Sequence, residues 1–294
     1  MTTMYGILMA LLSSCSWASC AVLFKNLGKK YTPIDINLFN VVSSFIWLCL
    51  LVVLTHSNIL IQKGDIITIA ISAFLGIVIA DSIYYSALYI LSPVALTIIS
   101  ILGSIFSGMW GYFLYGEVLD TISVAGILFV FIGVGFISST YPKSKRLVKL
   151  KIYGILLAIL SSCLTSFSVA ILKPVLIRNS SLVVIMYRML FSSVIILLYT
   201  LFSKKFNIFI QTFCEENKYK TQIIITSFLY VMGGLYCSML AIKSCNLAIV
   251  SSIMAIQPFF VLLVMILFFK YKPKLSEYIS IGFIVIGLLL FCID

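Results

Sequence analysis

Two stretches of nearly the same sequence decide the fold of this chain: YGILMALLSSCSWASCAVLFK, from Tyr5 to Lys25, and YGILLAILSSCLTSFSVAILK, from Tyr153 to Lys173. The Tyr-Gly start, the Ser-Ser-Cys step and the final Lys recur in register, 148 residues apart. Apolar bias would explain matching Leu and Ile, but not these residues together. A weaker match relates FLGIVIADSIYYSALYILSPVA, from Phe74, to FLYVMGGLYCSMLAIKSCNLA, from Phe228. The chain therefore contains an internal repeat.

The composition is that of a membrane protein, with 62% hydrophobic and only 10% charged residues. A bilayer crossing needs about 20 mostly apolar residues. Runs of about that length cover residues 4–24, 34–54, 66–90, 94–115, 121–139, 152–172, 182–202, 221–242, 247–269 and 277–293. They are continuously apolar, unlike the alternating strands of a membrane barrel. We therefore predict an all-α integral membrane protein with ten transmembrane helices.

The repeat divides these helices into two groups of five. We predict a first five-helix repeat at 1–142, a basic connecting loop at 143–151 and a second five-helix repeat at 152–294. Because five is odd, the second repeat enters the membrane from the opposite side. Inverted repeats of this kind are typical of secondary transporters, which bind substrate near the midplane. A purely structural duplication is the alternative.

The net charge of +11 comes from Lys and Arg in the short segments between apolar runs. No soluble stretch is long enough to form a basic face, so we do not expect nucleic-acid binding. The odd-numbered loops carry 15 of these residues and the even-numbered loops carry 4. The positive-inside rule would place the odd loops in the cytoplasm and both termini outside. We expect the plasma membrane, which is the inner membrane in a bacterium, with both termini on one side.

The end of each repeat resembles a known family of transporters. From Ala87 the chain reads ALYILSPVALTIISILGSIFSGMWGYFLYGEVLDTISVAGILFVFIGVGF, and from Ala241 it reads AIKSCNLAIVSSIMAIQPFFVLLVMILFFKYKPKLSEYISIGFIVIGLLL. Both segments resemble EamA repeats of the drug/metabolite transporter superfamily. The resemblance implies ten helices, transport of small metabolites such as amino acids or their derivatives, and termini in the cytoplasm, against the charge count.

The two segments depart from that pattern at two places. The central proline of the family helix is Pro258 in the second repeat, while Ile105 stands near its place in the first. The Gly-Glu turn that follows Tyr115 becomes Phe269-Lys270 in the second repeat. The pattern is one of hydropathy and small residues, so it is specific for the fold and not for the substrate.

Asp81 is the only acidic residue deep inside an apolar run. An ionised carboxylate at that depth costs about 2.5–3.5 kcal/mol, so it should face a cavity or a partner. It would bind a cationic substrate group or a coupling proton, or else it is a hydrogen-bonded packing residue. Tyr84 and Tyr85 follow on the same helical face, where they suit a ligand with a cationic end and an apolar body, or plain packing.

Arg188 lies about two turns into the seventh run, and Asn40 is its repeat counterpart. It would bind a carboxylate or phosphate in the pocket, snorkel to the membrane interface, or pair with Asp81. Trp17 in the first run is a candidate lining residue, and its counterpart is Thr165. Hydroxyl groups beside it, such as that of Ser13, either line the pocket or allow close helix packing.

Gln257 and Pro258 lie in the middle of the ninth run. Pro258 frees the carbonyl about four residues earlier, near Met254, giving a kink or a polar lining. Gly233 and Gly234 in the eighth run are either a hinge or a site of close packing.

The sequence encodes no ATP-binding P-loop, no metal-ligand cluster and no paired catalytic residues at membrane depth, so we expect neither enzyme nor cofactor. The prediction is alternating access around a midplane pocket walled by the first, third, fourth, sixth, eighth and ninth runs. Its partners would be the lipid bilayer, a cationic or zwitterionic amino acid or derivative, and a coupling proton. The alternatives are a transporter of an anionic phosphorylated or nucleotide-linked metabolite and a non-transporting scaffold or receptor.

Overall fold

The computed structural model describes residues 3–116, 129, 132, 145–203, 217–244, 250, 253–254 and 256–291. Within these ranges every regular element is a helix. Seven of the helices found there are long and apolar enough to cross a membrane. The predicted fifth run, at 121–139, lies outside the described residues except for positions 129 and 132.

Nine helices are labelled in chain order. They are α1 (Thr3–Leu27), α2 (Pro33–Leu54), α3 (Lys63–Ile90), α4 (Pro93–Tyr115), α5 (Lys145–Ala170, continued by Lys173–Arg178), α6 (Ser181–Phe202), α7 (Asn217–Phe228, Leu229–Tyr236 and Cys237–Ser244), α8 (Gln257–Phe269) and α9 (Leu275–Phe291). The helix starts follow from sequence: Thr32 forms a capping box before Pro33, and the Ser92 hydroxyl caps α4. Because α5 begins at Lys145, most of the predicted connecting loop at 143–151 is helical.

Both repeats contain a π-helical segment at the same place, which the apolar pattern did not predict. The segment is Phe74–Ala80 within α3 and Leu229–Tyr236 within α7. Such segments shift the backbone hydrogen bonds and are frequent at functional sites. In α3 the segment ends at the residue before Asp81.

The fourth helix of each repeat is also interrupted. In α4 the break is at Ile101, and in the second repeat a turn at Ile256 precedes α8. Pro258 therefore lies in the first turn of α8, and the prediction that it lies mid-helix is wrong. A proline is tolerated there because first-turn amide groups have no partner within the helix. The first-repeat break is followed by Gly103, so Ile105 is not the matching position.

Three pairs of hydrogen bonds between the two repeats are formed by equivalent residues. Ser13 Oγ donates to the Gly234 carbonyl at 2.9 Å, and its repeat counterpart, Ser161 Oγ, donates to the Ala80 carbonyl at 2.8 Å. The other pairs are Ser44 to Ser227 with Ser192 to Ala73, and Cys20 to Thr226 with Ser168 to Ser72. Side chains of the first two helices of each repeat therefore hold the third helix of the other repeat.

Contacts at the ends of α1 and α5 show the directions of these two helices, which are repeat counterparts. Lys25, at the end of α1, donates to three backbone carbonyls between Leu88 and Leu91, at the end of α3. At the end of α5, Arg178 instead binds Asp65, at the start of α3, with a nitrogen to oxygen distance of 2.5 Å. The helices α1 and α5 therefore end at opposite ends of α3, and the two helices run in opposite directions.

Candidate functional site

A cavity of about 250 Å³ lies between the two repeats. Residues of α1, α3, α4, α5, α7 and α8 line it, which are the six predicted walls, and α6 adds Arg188. Its polar lining comprises Asp81, Arg188, Trp17, Tyr84, Tyr85, Tyr230, Gln257 and nine hydroxyl residues, namely Thr97, Ser100, Ser104, Ser107, Ser161, Ser162, Thr165, Ser166 and Ser238. A carboxylate, a guanidinium and several aromatic rings therefore face one small space.

Asp81 reaches the cavity from the first turn after the π-helical segment of α3. Its side chain is half-buried, and its Oδ2 accepts a hydrogen bond of 2.5 Å from the Tyr230 hydroxyl. Tyr230 belongs to the π-helical segment of α7, in the other repeat. The carboxyl group is thus held across the repeat boundary by a neutral donor, and among the described residues no cationic side chain is within ion-pair distance of it.

Arg188 is 3% exposed, so its side chain is buried within the protein. Its Nη2 donates to Ser168 Oγ at 2.9 Å, while Nε and Nη1 have no hydrogen-bond partner. Neither a hydrogen bond nor an ion pair joins the side chains of Arg188 and Asp81, which line the same cavity. A buried donor without a partner costs free energy, so a ligand that accepts from these nitrogens would be stabilised.

Gly76 makes room for this guanidinium. A Cβ atom at position 76 would lie 3.0 Å from Arg188 Nη2 and 2.1 Å from Ser168 Oγ. Its repeat counterpart is Tyr230, so one equivalent position supplies space for the cation and the other supplies the hydroxyl that holds Asp81.

The aromatic candidates surround these charges. The Trp17 ring packs edge-on against Tyr230 with centroids 5.0 Å apart, and its Nε1 has no hydrogen-bond partner. Tyr84 and Tyr85 both line the cavity, with ring centroids 5.8 Å apart. Tyr85 is 3% exposed, and its hydroxyl accepts a hydrogen bond of 3.2 Å from Asn40. The structure thus brings Trp17, Tyr84 and Tyr85 to the same space as Asp81.

The remaining candidates differ in their placement. Gln257 lines the cavity at the start of α8, and the Met254 carbonyl accepts a hydrogen bond of 3.3 Å from Ser14. Gly233 and Gly234 lie in the π-helical segment of α7 against α1, where an added Cβ would approach Ser16 Oγ to 2.1 Å and Trp17 to 3.1 Å, respectively. Both glycines therefore serve close packing, and their hinge role stays a prediction.

Sequence reasoning missed Tyr230, Ser168 and Gly76. None of them stands out in its own run, because Tyr, Ser and Gly are ordinary residues of membrane helices. The available signal was the repeat alignment, which pairs Gly76 with Tyr230 and Ser168 with Cys20.

Comparison with known proteins identifies the family. The model of the EamA-like transporter family matches residues 4–139 and 152–293. No curated protein matches the chain. A crystal structure with 15% sequence identity has a TM-score of 0.74, covering 99% of this chain and 98% of that chain, which shows a shared fold. The two family matches span nearly the whole sequence, so the chain belongs to the EamA-like transporter family, within the drug/metabolite transporter superfamily.

Proposed function

We propose that this membrane protein is a secondary transporter that works by alternating access, with ten transmembrane helices in two inverted five-helix repeats. The observation that carries the proposal is the cavity between the repeats, which holds Asp81 and the buried Arg188. The opposite directions of α1 and α5 support the inverted arrangement. Rocking of the repeats about the cavity would expose it to each side of the membrane in turn.

The preferred substrate class is a small zwitterion, such as an amino acid or a derivative. A cationic group would interact with the Asp81 carboxylate, and an anionic group would accept from the unpartnered Nε and Nη1 of Arg188. The rings of Trp17, Tyr84 and Tyr85 would pack against an apolar body. The cavity of about 250 Å³ favours a small metabolite, since pockets for drug-sized ligands measure roughly 300–1,000 Å³.

A second candidate is a small anionic metabolite. The two unpartnered nitrogens of Arg188 favour it, because a guanidinium binds carboxylate or phosphate groups strongly. Asp81 opposes it, since its negative charge would repel the ligand unless a proton is bound. This candidate therefore requires proton coupling at Asp81, whereas the zwitterion does not.

Solute counterflow in reconstituted vesicles tests both candidates. Protein in vesicles preloaded with one unlabelled solute is given the same solute in labelled form, and panels of zwitterionic, cationic and anionic metabolites are compared. Saturable uptake of a zwitterion, lost in Arg188→Gln, supports the first candidate. Uptake of anions that rises as pH falls supports the second. Specific binding without flux of any solute would instead indicate a receptor.

A further inference from the structure

A second cavity, of about 320 Å³, opens beside the first. We call it the outer chamber; it lies between the end of α1, the start of α2 and the end of α3, with Lys25, Lys29, Ile36 and Tyr89 in its lining. Lys29 is exposed and Tyr89 is 63% exposed, so the chamber reaches the protein surface near the loop that joins α1 to α2.

Phe24 and Tyr85 line both cavities and separate them. They are 4% and 3% exposed, and their rings pack edge-on with centroids 4.8 Å apart. Asn40 holds the Tyr85 hydroxyl from α2, while Phe24 is also 6.1 Å from the Tyr230 ring. The ring pair thus lies where the surface chamber and the central cavity share their lining.

The side chains that line the outer chamber carry positive charge. Lys25 and Lys29 line it, and none of the lining residues in the described part of the chain is acidic. The Lys25 ammonium donates to three backbone carbonyls at the end of α3, at 2.6–3.0 Å, so it serves mainly to complete that helix end. Lys29 remains exposed at the mouth and would attract solutes that carry a carboxylate or another anionic group.

We propose that the outer chamber is a second, transient substrate site for anion-bearing solutes, and that Phe24 and Tyr85 form the gate between it and the central cavity. The proposal rests on the transport function proposed above, because a gate matters only if solute passes. Rotation of either ring joins the two cavities into one path. The counterparts of the two residues are Leu172 and Met239, so the gate is aromatic in one repeat only.

Thiol labelling tests the gate without any known substrate. Ser104→Cys places a thiol in the central cavity, in a background whose native cysteines are replaced, and a small impermeant methanethiosulfonate is applied from the face on which Lys29→Cys is labelled. Phe24→Ala is expected to raise the labelling rate at position 104 at least tenfold. Leu172→Ala, the truncation of a buried side chain at the counterpart position, is the control. Equal rates in the two variants would overturn the gate.

The charge of the chamber is tested with two reagents of opposite sign. A negatively charged methanethiosulfonate is expected to react with Ser104→Cys faster than a positively charged one in the Phe24→Ala background. Lys29→Gln is expected to reduce that ratio several-fold. A ratio that does not change refutes the anion-bearing class while leaving the gate intact.

A milder design covers the case in which Phe24→Ala does not fold. Phe24→Leu keeps most of the side-chain volume, and Trp17 reports access to the central cavity once Trp47 and Trp110 are replaced by Phe. Acrylamide quenching of Trp17 should increase in Phe24→Leu and stay unchanged in Leu172→Ala. Both readouts measure access of a reagent to the central cavity rather than solute flux. Increased access without counterflow of any solute refutes the proposed transport function. Counterflow without a change in access refutes the gate.

Discussion

Asp81→Asn is the most informative single substitution, because it removes the charge while keeping the shape. The amide oxygen of Asn accepts the hydrogen bond from Tyr230 as the carboxylate does, so the contact across the repeat boundary survives. The ionisable group that shares the cavity with Arg188 is lost. We therefore expect a large effect on substrate affinity and a small one on folding.

The magnitude follows from the setting of Asp81. Two unit charges about 4 Å apart interact by about 4 kcal/mol at an effective dielectric constant of about 20, which is an upper limit here. A hydrogen bond to a charged group contributes about 1.5–3 kcal/mol. Since about 1.4 kcal/mol is a factor of ten, we expect the Kd for a zwitterionic or cationic substrate to rise about 10–100-fold. The free energy of unfolding should change by less than about 1 kcal/mol because the Tyr230 contact remains.

The assay pairs Asp81→Asn with Asp65→Asn as a matched control. Asp65 is 5% exposed and binds Arg178 and Asn179 away from the cavity, so its substitution should lower thermal stability and leave substrate affinity unchanged. Each variant is measured by thermal unfolding in detergent and by counterflow in vesicles. Unchanged counterflow in Asp81→Asn would return Asp81 to a packing role, and a loss of stability as large as that of Asp65→Asn would make it a structural residue.

Three further predictions concern the scaffold and its orientation. Lys270 ends α8 with φ 50°, in the left-handed region, and Gly116 ends α4 with φ 68° and no atom within 4 Å of the place where a Cβ would lie. Lys270→Gly should therefore stabilise the protein by about 1 kcal/mol, and Gly116→Ala should destabilise it by about as much, as unfolding midpoints in detergent would show. Gly233→Ala should lower the free energy of unfolding by about 1–3 kcal/mol, because the added methyl group would overpack against Ser16. Adding Ser16→Gly should recover most of the lost stability. A double variant no more stable than Gly233→Ala would contradict that contact. If the count of basic residues in the loops sets the orientation, Lys29→Cys should be protected from an impermeant thiol reagent in intact cells and Lys63→Cys should be labelled. The reverse labelling would favour the orientation that the family resemblance implies.

The fold was largely predictable because bilayer length and the internal repeat are both written in the sequence. The match of Tyr5–Lys25 to Tyr153–Lys173 and the length of the apolar runs predict the repeat and the membrane class. The π-helical segments were not predictable in this way. A continuous apolar run is compatible with either an α- or a π-helical hydrogen-bond pattern, and here the carbonyls within or beside the segments are bound by side chains from distant helices, as Ser13 and Ser161 show.

The site was predictable only in part, for a related reason. Asp81 stands out by its depth in a single run, but Tyr230, which binds it, comes from the other repeat. For Arg188 the sequence left three placements open: in the pocket, at the membrane interface, or paired with Asp81. Its 3% exposure and the space that Gly76 leaves beside it depend on tertiary contacts, which no local pattern encodes.

The two repeats differ in the charged and aromatic residues of the cavity and share hydrogen bonds that build the scaffold. The matched hydrogen bonds, such as those of Ser13 and Ser161, use equivalent residues in both repeats, so duplication of the backbone contacts is sufficient to build the scaffold. The charged and aromatic cavity residues have no such partners, since the counterparts of Asp81, Arg188 and Phe24 are Leu235, Asn40 and Leu172. A symmetric scaffold can present a symmetric pocket, but a zwitterion has two unlike ends. Divergence confined to the cavity would give such a substrate one orientation while leaving the scaffold free to rock between equivalent states.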